Sequence, residues 1–130
     1  MAGEGERPTI RELVAPALLG EAAECASLGI SVYDDRGRYV AVNECACQIL
    51  GYEREELVAH DVADFTPSGI DRSVLLSPDR REGVRMITRK DGSTVPVAFV
   101  VAPTRVAGVA FYISMWWELD PDDPRAATAT

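Results

Sequence analysis

The chain has 130 residues, enough for one domain with its own core and too few for two comfortable ones. Hydrophobic residues make up 47% and charged residues 26%, which excludes wholesale disorder. The formal net charge is −8, and of the 13 basic residues only Lys90 is a lysine; with no basic stripe to follow a phosphate backbone, nucleic-acid binding is not expected. No apolar run is long enough to cross a bilayer, so membrane insertion is not expected either. The opening MAGEGERP lacks the basic-then-apolar order of a secretory leader, and a cytoplasmic location is the expectation. Cys25, Cys45 and Cys47 are odd in number and suit a reducing compartment as buried, inert thiols. The pair Cys45 and Cys47, with no histidine nearby, falls short of a zinc ligand set.

In chain order, residues 1–8 read as a flexible lead. Thr9 and Glu12 have capping-box spacing, and Ile10, Leu13, Val14, Ala17 and Leu18 recur at helical spacing. A cap helix is therefore expected within 9–28, either kinked at Pro16 or beginning afresh there. Around Val32 a strand is expected, then a tight turn at Asp34-Asp35-Arg36-Gly37, and a second strand over 39–42. Asn43 ends that strand where its side chain can cap the next helix. Residues 53–58 and 61–65 read as short helical turns, Thr66-Pro67-Ser68-Gly69 as a break, and 70–76 as a further short helix. From Glu82 the pattern changes to strands over 84–88, 95–102 and 109–118, with a turn at Lys90-Asp91-Gly92 and a loop at 103–108. Two strands, short helices, then three strands predict an α+β fold with an antiparallel sheet. Asp120 to Pro124 closes the fold, and 121–130 reads as a disordered acidic tail.

The acidic turn with Gly37, Asn43, Gly51-Tyr52, Glu55-Glu56-Leu57, Arg89-Lys90-Asp91-Gly92-Ser93, Ala102-Pro103 and the final Glu118-Leu119-Asp120 resemble, in order and spacing, a PAS sensor domain over 29–120. The resemblance implies a five-stranded antiparallel sheet of order 2-1-5-4-3. Short helices would enclose a pocket on one face and the N-terminal helix would cover the other. It also implies sensing or protein association rather than turnover. Aligned on the same motifs, Val62 falls where LOV photoreceptors carry their reactive cysteine. Ile87 and Val97 replace two flavin-binding asparagines, and Trp116 replaces a glutamine. A LOV-type flavin is therefore not expected. Haem is not expected either, since no histidine falls on the helix near 70–76; the only histidine, His60, reads as a partly exposed polar residue. FAD binding of the redox type stays open, because Trp116 or Trp117 could flank a ring.

By the same register the pocket draws on Tyr39 and Ala41, on Val58, Val62 and Phe65, and on Val74. From the later strands it takes Ile87, Val97 and Phe99, then Tyr112, Ser114 and Trp116. Such a lining suits an apolar small molecule held mainly by burial; alternatively, the large side chains fill the space themselves. The opposite parity of the last strand, with Val109, Phe111, Ile113, Met115 and Trp117, is also apolar, although a sheet open to water should alternate. Something must cover it. Ile10, Leu13, Val14 and Leu18 of the N-terminal helix, together with Phe111, Ile113, Met115 and Trp117, are expected to build a homodimer. The leading expectation is a sensory or protein-interaction module in bacterial signalling or transcriptional regulation, with an unidentified signalling partner. The alternatives are a flavin-based light or redox sensor and a small enzyme, the latter disfavoured because no nucleophile, base and orienting residue can be assembled.

Overall fold

The computed structural model describes residues 9–67 and 71–130. The expectations for 1–8, for Ser68, Gly69 and Ile70, and for the side chain of Leu13 lie outside the described residues. Helix α1 (Ile10–Cys25) starts at the predicted capping box: the Thr9 hydroxyl accepts from the Glu12 N–H at 3.2 Å, and the Glu12 carboxylate accepts from the Thr9 N–H at 3.1 Å. It runs through Pro16 as one helix, so the fresh start at Pro16 does not occur. Strands β1 (Gly29–Asp34) and β2 (Tyr39–Val42) form the expected hairpin, with Asp34 Oδ1 accepting from the N–H groups of Arg36 and Arg38 across the turn.

Three short helices follow, α2 (Glu44–Leu50), α3 (Arg54–Leu57) and α4 (Arg72–Leu75), with a 3₁₀ turn (Val62–Phe65) between the last two. Strands β3 (Arg81–Thr88), β4 (Thr94–Val106) and β5 (Val109–Glu118) complete one five-stranded antiparallel sheet in the order β2-β1-β5-β4-β3. This is the predicted sheet. No helix among the described residues is long and apolar enough to cross a membrane.

Asn43 ties the first half together. Its Oδ1 accepts from the Ala46 N–H at 3.0 Å, capping α2, and from the Ile30 N–H at 2.9 Å; its Nδ2 donates to the carbonyls of Ala23 at 2.7 Å and Leu28 at 3.0 Å. One buried side chain thus joins the end of α1, the start of β1 and the start of α2.

The structure departs from the sequence expectations in four further places. Strand β4 continues through Pro103 to Val106 where a loop is predicted. Past Val101 it has run beyond the start of β3, so a residue without an N–H is tolerated there as on any edge strand. The segment read as a disordered tail holds a second 3₁₀ helix (Pro124–Thr128), capped by Asp123 and packed beside β3. Cys25 is exposed and Cys45 only partly covered, so Cys47 alone is a buried thiol, its pKa raised by burial.

The fourth difference concerns α1, which does not cover the outer sheet face. It packs against α2, with Glu24 paired to Arg54, while Ile10 is 79% and Leu18 62% exposed and Val14 also stands in solvent. Its apolar residues spread around the helix instead of forming one wide stripe, so no face of it matches a sheet.

Candidate functional site

The inner face of the sheet, with α2, the first 3₁₀ turn and α4, lines a half-open cavity of about 70 Å³. Pairing across the strands decides which residues reach it. Opposed residues share a face, so Arg81, Gly83, Arg85 and Ile87 of β3 lie beside Val101, Phe99, Val97 and Val95 of β4 on the inner side. From β5 the inward parity supplies Ser114 and Trp116, opposite Ser31 and Gly29 of β1. The Trp116 indole lies so close over Gly29 that a Cβ there would come within 2.6 Å of its ring, and its N–H donates to the Ser31 hydroxyl at 3.4 Å.

Of the residues placed in the pocket by sequence, the structure brings Tyr39, Val62, Phe65, Ile87, Val97, Phe99, Ser114 and Trp116 to the cavity wall. Four others it places elsewhere. Ala41 faces outward because β2 carries a bulge: Tyr39 pairs with Tyr33 and Ala41 with Val32, so Val40 is an extra residue and the alternation shifts. Val58 and Val74 are 41% and 44% exposed, because the short helices turn Leu57 and Leu75 inward instead. Tyr112 is buried but does not reach the wall. Its ring stacks on Tyr33 with centroids 5.0 Å apart, and its hydroxyl donates to the Leu76 carbonyl at 2.9 Å.

The wall also contains Tyr33, Leu50, Thr66, Leu75, Arg81, Arg85 and Val101, which sequence reasoning did not select. Tyr33 donates to the Leu75 carbonyl at 2.8 Å and accepts from Arg81 Nη2 at 3.3 Å, and burial raises the pKa of its phenol. With Tyr112 it anchors the C-terminal end of α4 over the cavity. Arg85 had a usable signal: it shares parity with Ile87, already assigned inward.

The two arginines flank an aromatic ring. Gly83 stands opposite Phe99, and a Cβ there would lie 3.3 Å from the ring. Its absence lets Phe99 extend across β3, where the guanidinium carbons of Arg81 and Arg85 stand 5.3 Å and 5.6 Å from the ring centroid, within cation–π range. Burial, and secondarily the neighbouring Arg81, lowers the pKa of Arg85. Burial likewise raises that of the Tyr39 phenol. Among the described residues the hydroxyls of Tyr39, Thr66 and Ser114, all on the wall, have no side-chain hydrogen-bond partner.

His60 lies outside the cavity wall, half-exposed as expected, with Nδ1 3.1 Å from Asp64 Oδ2 and its ring against Tyr52 and Phe65. Among the described residues no group of three His, Cys, Asp or Glu side chains is placed to hold a metal ion.

Comparison with known proteins bears on the same segment. The family described as "PAS domain" matches residues 27–116. Among solved structures, the chain is similar to the PAS domain of an HTR-like protein from Haloarcula marismortui, at 23% identity and a TM-score of 0.74, covering 84% of this chain and 95% of that one. It is also similar to a PAS domain from a two-component sensor histidine kinase, at 14% identity and a TM-score of 0.74, covering 82% and 98%. An RNA-binding light-oxygen-voltage receptor matches at 24% identity and a TM-score of 0.74, covering 87% of this chain but 36% of the receptor. No sequence among curated proteins matches.

Proposed function

The chain belongs to the PAS domain family, and from that premise we propose that it is a cytoplasmic sensory and protein-interaction module of bacterial signalling or transcriptional regulation. It takes a small molecule into the cavity beneath the sheet and pairs with a second copy through the outer face. The observation that carries this reading is the cavity itself: an apolar wall with three hydroxyls that no described side chain satisfies, the mixture by which small-molecule sites fix a ligand. The apolar outer parity of β5, with Met115 36% and Trp117 37% exposed, supports pairing. Ile10, Val14 and Leu18, free of the sheet, are available to the same partner.

This reading dispenses with a LOV-type flavin and with haem, and a redox-type FAD sensor is its alternative. Its cavity of about 70 Å³ is well below the roughly 300–1,000 Å³ of cofactor and drug-sized sites. Val62, Ile87 and Val97 present no thiol or amide to a flavin ring, and the indole N–H of Trp116 is engaged by Ser31. The proposed role is sensing and not turnover; His60 is paired with Asp64 outside the cavity wall.

Native mass spectrometry of the purified full chain, followed by denaturation, tests the reading. It is expected to show a dimer and a small added mass that denaturation releases, or that returns on exposure to cell extract small molecules. A monomer that takes up no small molecule from any such extract would overturn it.

A further inference from the structure

Every described arginine except two is either paired with a carboxylate or exposed. Arg54, Arg72, Arg89 and Arg125 pair with Glu24, Asp61, Glu118 and Asp123; the remainder stand in solvent. Arg81 and Arg85 do neither. They are half-buried on the cavity wall, and among the described residues neither meets an acidic side chain, in a chain with 21 Asp and Glu. Arg81 has one hydrogen bond, to the Tyr33 hydroxyl. Arg85 has only the face of Phe99. Holding two like charges partly out of water without an anion is unfavourable.

The geometry points to a short-chain carboxylate as the occupant of this cavity, its anionic head at Arg81 and Arg85 and its alkyl end against Phe99 and the neighbouring Val97. This rests on the proposal that the cavity binds a small molecule, and adds the chemical class. Guanidinium forks match carboxylates in planarity and spacing. The size fits as well. A water needs roughly 10–15 Å³ of such space, so about 70 Å³ admits an acid of a few carbons. Thr66, Ser114 and Tyr39 supply hydroxyl donors for a carboxylate oxygen. The lowered pKa of Arg85, caused by burial and by Arg81, is what a site awaiting a counter-charge would show. The apolar side chains beside the arginines distinguish the occupant from an inorganic anion, which would leave them bare.

The test is an NMR titration of the isotope-labelled full chain with sodium propionate, propionamide and inorganic phosphate at matched ionic strength. Propionate is expected to saturate, moving the amides of β3 and the Trp116 indole, with propionamide about tenfold weaker or more, the loss expected for a charge-assisted pair. Arg85→Gln and Arg81→Gln should each weaken propionate by about fivefold or more, with Arg85→Lys recovering part of it. The comparison of propionate with propionamide needs only the unsubstituted chain, so it stands even where a variant fails to fold. Equal binding of propionamide, or of phosphate, would overturn the carboxylate and leave the small-molecule pocket standing. No response to propionate would likewise overturn it, while the mass-spectrometric test above decides the pocket independently.

Discussion

Along β5, two largely apolar surfaces meet different environments. Tyr112 and Trp116 point inward and are 6% exposed each, whereas Met115 and Trp117 point outward and are 36% and 37% exposed. The difference is one of cover. Inside, α2, α4 and the 3₁₀ turn pack over the sheet; outside, α1 leaves toward α2 and the 3₁₀ helix near the C-terminus packs beside β3. A face that is apolar but uncovered is an incomplete core, and in the proposed function a second copy completes it.

The sharpest way to break this comparison is to truncate neighbouring tryptophans. Trp116→Ala is expected to cost about 3–5 kcal/mol, as for large aromatic cavities, read by denaturant unfolding. Trp117→Ala should cost less than about 1 kcal/mol at high dilution, its effect appearing as a lost concentration dependence of the melting temperature. Equal costs at every concentration would show that the two faces do not differ as described.

Asn43→Ala comes next, with an expected loss of about 2–4 kcal/mol, because it removes the cap of α2 and strands the Ile30 N–H and two carbonyls. Hydrogen exchange should rise at the end of α1 before it rises in the outer strands. If exchange in α1 is unchanged, its attachment does not run through Asn43.

Legibility of the sequence follows the same division. Where one residue type dictates one local geometry, as at the Thr9 box, the Asn43 cap or the β5 alternation, the elements could be read directly. The bulge at Val40 could not, since counting by twos assumes no extra residue, and it moved Ala41 to the wrong face. Short helices hid Val58 and Val74 by a one-residue difference in phase. Arg81 and Arg85 were passed over because charged residues default to solvent, and because the strand was expected to begin at Val84, after Arg81. The position of α1 depends on where its C-terminal end is tied, a tertiary fact.

A smaller effect is expected at Gly83→Ala. The new Cβ, 3.3 Å from the Phe99 ring, should displace the ring by a fraction of an ångström and cost about 1 kcal/mol. The propionate affinity should fall with it while dimerisation is unaffected, separating inner from outer face. Smallest of all is a surface contribution common to both. Lys90 donates to both Glu56 oxygens at 2.9 and 2.8 Å, and that hydrogen bond, helped by the Glu53 N–H, lowers the Glu56 pKa. A carboxylate depressed in the folded state stabilises above its unfolded pKa of about 4.3 and loses that contribution as the pH falls through its folded value. Glu56→Gln should therefore flatten the acid side of the melting profile slightly and leave neutral pH nearly unchanged.

The two-face account is tested most directly by sedimentation velocity on the full chain and on the double substitution Met115→Ser with Trp117→Ser, across micromolar concentrations. The account predicts a dimer for the unsubstituted chain and a folded monomer for the variant, with inner-face packing intact by near-ultraviolet circular dichroism. A monomer for the unsubstituted chain throughout that range, or a dimer that the double substitution leaves undisturbed, would contradict it.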